Sequence, residues 1–312
     1  MTSFAFVFPG QGSQSVGMLD AWGDHAAVRQ TLEEASVALG EDVAALIHAG
    51  PKAQLDLTTN TQPVMLATGL ACYRAWLAET GLVPSLVAGH SLGEYTALVA
   101  AGALALADAL PLVRFRAQAM QDAVPVGAGA MAAILGVGAQ EVRDGCVAVA
   151  AASGEVVEAV NFNDPKQTVI AGSKAGVEQA CIALKARGAK RALVLPVSAP
   201  FHSSLMKPAA ERLRVRLAAT PFAEPSIGVV NNVDVLREVD PQRIRDALYR
   251  QAFAPVRWVE VVQAIRVQGM THVFECGPGR ALAGMVKRID PEAVTTTVLD
   301  MESIAEARGM LA

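Results

Sequence analysis

Ser91 stands between two glycines in Gly89-His90-Ser91-Leu92-Gly93. The apolar run Leu86-Val87-Ala88 precedes it, and residues 94–101, which read as a helix, follow. A serine on a glycine-flanked strand-to-helix turn is the pattern of a nucleophile elbow, in which a sharp turn lifts the hydroxyl clear of the sheet edge. The free N–H groups at the helix start favour developing negative charge. The same five residues also describe an ordinary Gly-rich β–α turn with a capping serine, so the partners must decide. A serine nucleophile needs a base, and imidazole titrates in the right range. Of the five histidines, His25 and His48 lie in polar stretches and His272 enters an apolar strand. His90 is adjacent to the serine, and its side chain would diverge from it. His202, at a loop-to-helix junction in Pro200-Phe201-His202-Ser203, is the best remaining base, since such junctions often face a cleft.

Two further positions carry possible chemistry. Gln11 is flanked by glycines in Pro9-Gly10-Gln11-Gly12, just after the apolar run 4–8. A Gly-rich loop there can bring backbone N–H groups to a ligand, or it can be a simple turn. It fits neither the phosphate loop, because no Gly-Lys-Ser/Thr follows, nor the dinucleotide fingerprint. A helix expected over 107–124 buries Val113, Ala117, Met120 and Val124 at helical spacing. Arg116 lies about 70° from the centre of that stripe and Arg114 about 90° on the other side. Arg116 is therefore slightly the better candidate for an anion-facing guanidinium, with a solvated helix arginine as the alternative.

The elements that must position these groups can be read from composition and period. The 312 residues are 52% hydrophobic and 18% charged, enough for a large core. A net charge of −4 argues against a nucleic-acid binder. The four cysteines are scattered without metal-ligand spacing, as expected of reduced, mostly buried thiols in a cytoplasmic protein. The N-terminus lacks a basic leader, and the longest uncharged runs, 1–19 and 123–140, are broken by proline and glycine, so neither a signal peptide nor a membrane span is expected. Strands are expected at 4–8 and before the elbow. A helix is expected from Thr61-Gln62-Pro63 to about 79, with Pro63 in its first turn. Residues 130–137, 141–152, 156–161, 168–171, 175–187 and 190–197 read β-α-β-β-α-β, with a turn at Asn163-Asp164-Pro165. That order is the ferredoxin-like split unit. The fold class expected is α/β: a large α/β-hydrolase-like domain with a mostly parallel sheet, formed by 1–125 and 198–312, and an inserted ferredoxin-like subdomain over 126–197 that covers the serine.

Taken together, the chain resembles the malonyl-CoA:acyl carrier protein transacylases of type II fatty acid synthesis, relatives of polyketide acyltransferase domains. The markers stand in family order: Phe8-Pro9-Gly10-Gln11-Gly12-Ser13-Gln14, Thr61-Gln62-Pro63, Gly89-His90-Ser91-Leu92-Gly93-Glu94-Tyr95, Arg116, Ala130-Met131-Ala132-Ala133, Pro200-Phe201-His202-Ser203, Asn231-Asn232-Val233-Asp234, Gln251 and Glu275-Cys276-Gly277-Pro278-Gly279. The resemblance covers essentially the whole chain. It implies that Ser91 carries the malonyl ester and His202 is the base. It implies that the N–H groups of Gln11 and Leu92 form the oxyanion hole and that Arg116 holds the malonyl carboxylate. Gln251 would lie by the histidine, where the family orients the imidazole through main-chain carbonyls, and His90 and Phe201 would shape the acyl pocket. No resident cofactor or metal is implied, because the CoA thioester is a substrate. The implied partners are malonyl-CoA and acyl carrier protein, for a cytoplasmic monomer.

An acidic carrier calls for a local basic patch. Lys185, Arg187, Lys190 and Arg191 form one candidate group, and Arg280, Lys287 and Arg288 another; each can equally be a solvated face. Three rival readings are a serine hydrolase, a relative that loads another acyl group or serves malonate decarboxylase, and a non-catalytic carrier-binding module. Arg116 and the glutamine loop disfavour the first, and the intact serine, histidine and arginine set disfavours the last.

Overall fold

The structure, a computed structural model, describes residues 3–197 and 199–312. Ser198, where the second expected domain boundary falls, lies outside the described residues. The chain lays down β1 (Phe4–Phe8) and β2 (Leu86–Gly89) and then leaves for β3 (Gly129–Leu135), β4 (Val157–Asp164), β5 (Gln167–Ser173) and β6 (Arg191–Val194). It returns with β7 (Gly228–Val230), β8 (His272–Cys276) and β9 (Thr297–Val298).

The first sheet has the order β7-β2-β1-β8-β9, and every pair in it is parallel. Its centre explains itself from the sequence. β1 is apolar at every position, as a strand covered on both faces must be. Phe4, Phe6 and Phe8 point one way, and their rings pack edge-on against Tyr73 and Trp76 of the helix Thr58–Thr80. Ala5 and Val7 point the other way, into a core with Trp258, Val261 and Val262. All strand carboxyl ends therefore lie at one edge, where the loops after β1 and β2 meet.

The second sheet has the order β4-β5-β3-β6 with antiparallel pairs, which is the split βαββαβ arrangement expected. Period two divides its residues. Ala132, Ile134 and Ile170 pack on Val142, Cys146, Val177 and Leu184 of its own two helices, Ala139–Ser153 and Lys174–Ala186. Met131, Ala133, Val169 and Ala171 face the other way and join the core of the larger sheet. The union is also made by backbone: Phe162 donates to the Val256 carbonyl at 3.0 Å, and Val256 donates to that of Val160 at 2.9 Å. No helix among the described residues is long and apolar enough to cross a membrane.

Three local expectations are corrected. Pro63 does not open its helix. The helix begins at Thr58, and the proline stands inside it. Thr58, Thr61 and Gln62 are buried there, so packing overrides their modest helix propensity. The turn expected at Asn163-Asp164-Pro165 moves on by two residues, because β4 stays extended through Asp164. The Lys166 N–H donates to Asp164 Oδ1 at 2.8 Å to close that turn. Finally, the strand expected over 190–197 is shorter, Arg191–Val194, with the Leu195 N–H still donating to the Met131 carbonyl at 2.9 Å, and Leu195 and Val197 line a cavity.

Candidate active site

Ser91 stands two residues beyond the end of β2 and two before the helix Gly93–Ala100, with φ +53°. That left-handed conformation is costly for a residue with a Cβ and lifts the side chain out of the sheet plane. The turn is possible because of what surrounds it. A Cβ on Gly93 would fall 2.1 Å from the Phe8 carbonyl oxygen, and one on Gly10 would fall 2.6 Å from that of His90. The loops after β1 and β2 thus touch backbone to backbone, which brings Gln11 and Leu92 to one cavity. Among the described residues neither of their N–H groups takes part in the backbone hydrogen bonding of these turns, the state expected of two donors kept for a ligand oxygen.

The Ser91 Oγ lies 2.6 Å from His202 Nε2. His202 is 3% exposed, has φ +65°, and sits between Pro200 and the turn Ser204–Met206. Its Nδ1 lies 2.8 Å from the main-chain carbonyl oxygen of Gln251. A carbonyl only accepts, so Nδ1 carries the proton and Nε2 offers its lone pair to the serine hydroxyl. Burial, then the Arg116 charge, push the imidazole down to about 3.

Arg116 comes from the helix Leu106–Asp122 and is only 2% exposed. Nη1 donates to Gln62 Oε1 at 2.7 Å, and Nη2 donates to Gln251 Oε1 at 3.0 Å and to Ser91 Oγ at 3.4 Å. All three acceptors are neutral. Arg114, its rival two residues earlier, lies nearer the surface and pairs with Glu41.

Gln251 does more than the sequence suggested. Besides its carbonyl bond to His202 and its Oε1 bond to Arg116, its Nε2 donates to the Ser91 carbonyl at 2.8 Å and to Glu94 Oε2 at 3.0 Å. His90 Nε2 donates to Asn163 Oδ1 at 2.8 Å, and the ring packs edge-on against Trp258. Burial lowers its pKa. Phe201 is buried at the cavity wall. The cavity is about 200 Å³, and Met131, Val169, Leu195 and Met285 give it apolar lining.

Of the two basic groups, Arg280, Lys287 and Arg288 stand on or beside the helix Ala281–Ile289, which lines the cavity with Ala281, Leu282 and Met285. Arg288 also binds Asp164 at 2.7 Å. The other group flanks β6, whose continuation, Leu195 and Val197, also lines the cavity.

Four polar residues of the site received no role from the sequence: Gln62, Glu94, Asn163 and Asn232. Gln62 and Asn232 stand within the family markers, and Glu94 follows the elbow directly, but no local pattern says what each touches. Asn232 holds the elbow itself. Its Oδ1 accepts from the Ser91 N–H at 2.8 Å, and its Nδ2 donates to the Gly89 carbonyl at 2.7 Å. Asn232→Ala would orphan both backbone groups. It is expected to cost about 2–4 kcal/mol of stability in urea unfolding, and a loss below ~0.5 kcal/mol would rule out this bracing role.

A serine raised on a glycine-lined turn, a histidine in the matching tautomer and two N–H groups engaged by no described backbone group, at the carboxyl edge of a parallel sheet, make up the geometry of a serine-nucleophile enzyme of acyl chemistry. The chain belongs to the acyl transferase family, whose domain model matches residues 5–288. It is 51% identical over 308 residues to the malonyl CoA-acyl carrier protein transacylase of Escherichia coli (strain K12), covering 98% of this chain and 99% of that protein. The crystal structure of an acyl-carrier-protein S-malonyltransferase from Burkholderia pseudomallei 1710b superposes with a TM-score of 0.96 at 64% identity, over 98% of this chain and 99% of the other. A malonyl-transacylase solved in complex with its type II PKS acyl-carrier protein superposes equally well, with a TM-score of 0.96 at 48% identity over 98% and 99% of the two chains.

Proposed function

We propose that this enzyme moves the malonyl group from malonyl-CoA to the phosphopantetheine thiol of acyl carrier protein, through an ester at Ser91, to feed fatty acid biosynthesis. The observation that carries this reading is Arg116: a buried guanidinium 3.4 Å from the Ser91 Oγ, whose hydrogen bonds among the described residues go to neutral oxygens and which otherwise lies over the Tyr95 ring. A charge left that way in a low-dielectric site favours an acyl group that brings its own carboxylate.

The steps follow from the residues. The Ser91 Oγ attacks the thioester carbonyl while His202 Nε2 takes the hydroxyl proton. The Gln11 and Leu92 N–H groups receive the oxyanion. The C–S bond breaks, and His202 returns the proton to the departing CoA thiolate. The carrier thiol then enters, gives its proton to His202 and reverses the sequence. The malonyl carboxylate also tunes the base. When it pairs with Arg116, it offsets the positive charge that holds the imidazole low, so Nε2 becomes more basic as the correct substrate arrives. The apolar walls keep water from the ester between the two half-reactions.

In this reading the enzyme carries no resident cofactor, acts as a cytoplasmic monomer, and meets the acidic carrier with basic side chains at the cavity mouth. Mass spectrometry of the intact protein after brief mixing with equal malonyl-, acetyl- and methylmalonyl-CoA tests it. A malonyl adduct confined to the peptide containing Ser91, and discharged by phosphopantetheinylated carrier, is expected. Dominance of another acyl group, or discharge to water at the same rate without carrier, would overturn it.

A further inference from the structure

Glu94 lies in the first turn of the elbow helix and is 2% exposed, yet it has no ion pair among the described residues. One oxygen, Oε2, accepts from both the Asn232 N–H and Gln251 Nε2, each at 3.0 Å. The other end of the Gln251 amide accepts from Arg116 Nη2 at 3.0 Å. Carboxylate, amide and guanidinium therefore stand in a row. The amide dipole points its N–H end at the negative group and its oxygen at the positive one. The base hangs from the same residue, through the Gln251 carbonyl.

We propose that Glu94 is a positioning residue of the malonyl site: relayed by the Gln251 amide, its carboxylate is the internal counter-charge of Arg116, a role it cedes to the carboxylate of the bound malonyl group. The inference rests on the malonyl-transfer reading above. The groups facing Glu94 define its charge balance. Arg116 and the hydrogen bonds from Gln251 and Asn232 favour the anion. Asp234, itself paired with Arg250, opposes it, and Glu238 faces the same small cavity. Tyr95, the next residue, is held neutral by burial. Burial is the largest influence on Glu94, and it pushes the carboxyl up to about 7. A second carboxylate arriving at Arg116 shifts the balance further toward the acid, so malonyl loading draws a proton onto Glu94. His202 stays neutral across that range, and Glu275, also raised to about 7, lies at the end of β8, where it accepts from the Ala283 N–H.

Two measurements test this. In wild-type protein, calorimetry in buffers of different ionisation enthalpy at pH 7.5 should find malonyl-CoA loading taking up more protons than acetyl-CoA loading, by a few tenths of a proton. Thiol release is common to both substrates and cancels. In Glu94→Gln that difference should vanish. The KM for malonyl-CoA, which in wild type should rise with pH above 7, should become flat and fall roughly five- to tenfold at pH 8.5 once the like charge is gone. Acetyl loading, which brings no carboxylate, should show no corresponding gain in KM at pH 8.5. Equal proton uptake for the two substrates in wild type would overturn the assignment even if the variant fails to fold. So would an equal slowing of both substrates in the variant with the pH dependence intact. Absence of a malonyl ester on wild-type Ser91 is a separate outcome, and it refutes the malonyl reading itself.

Discussion

His202→Ala is expected to reduce malonyl transfer by roughly 10⁴- to 10⁶-fold. The argument is geometric. Nε2 is 2.6 Å from the serine oxygen, and the Gln251 carbonyl fixes the tautomer that leaves it basic. His90, the other imidazole at the cavity, is engaged through its Nε2 with Asn163 and cannot take over. The same variant should change acid sensitivity. The histidine is held at about 3 when folded against an ordinary value of 6.5, so below pH 6.5 the unfolded chain binds a proton that the native state refuses. The stability tied to neutral His202 is complete above 6.5 and is lost as pH falls toward 3. At pH 4.5 that amounts to about 2–3 kcal/mol. Urea unfolding at pH 8 and 4.5 should therefore show wild type losing more on acidification than His202→Ala. Glu94 and Glu275, both raised, push in the opposite direction and act equally in the two proteins. Activity loss below about 100-fold would remove His202 from the role of base. Equal acid sensitivity would show that it is not buried as a neutral group.

The parts legible in the sequence are those set by local sterics and by period. The elbow can be read because only glycines tolerate the contacts at its two ends, and those glycines stand two positions either side of the serine they serve. The alternation in β1 and the βαββαβ order survive because burial imposes period two on a strand wherever its partners come from. Arg116 marks where this stops. Its angular position on the helix barely separated it from Arg114, and the decision rests on Gln62 and Gln251, 54 and 135 residues away. The turn expected at Asn163 fails for a related reason. Asn-Asp-Pro is good turn chemistry, but the backbone bonds between β4 and Val256 belong to a chain segment almost a hundred residues later. Glu94 was quoted with the elbow and given no role, since nothing near it in sequence shows that its carboxylate meets Asn232 and Gln251. The individual groups of the site were largely readable. The bonds that orient them toward one another were not, because nearly all of them join residues more than fifty positions apart.

Arg116→Ala should lower kcat/KM for malonyl-CoA by roughly 10²- to 10³-fold and raise the acetyl-to-malonyl ratio by a similar factor. The guanidinium donates to the neutral side-chain oxygens of Gln62 and Gln251, so in the proposed reading the substrate carboxylate supplies its counter-charge. Arg116→Lys retains the charge but not the planar fork, and should recover only part of the preference. Alanine also removes the second-largest influence on His202, after burial. Its pKa should then rise toward the ordinary imidazole range, and the acid limb of acetyl loading should move to higher pH, because more of the base is protonated at any given pH. That direction separates charge from shape. A merely larger pocket would admit acetyl groups without touching the acid limb, whereas loss of a neighbouring cation must shift it upward. An unchanged malonyl-to-acetyl preference in a coupled transfer assay would show that selection lies elsewhere. A changed preference with an unmoved acid limb would show that Arg116 selects by contact alone and leaves the base as it found it.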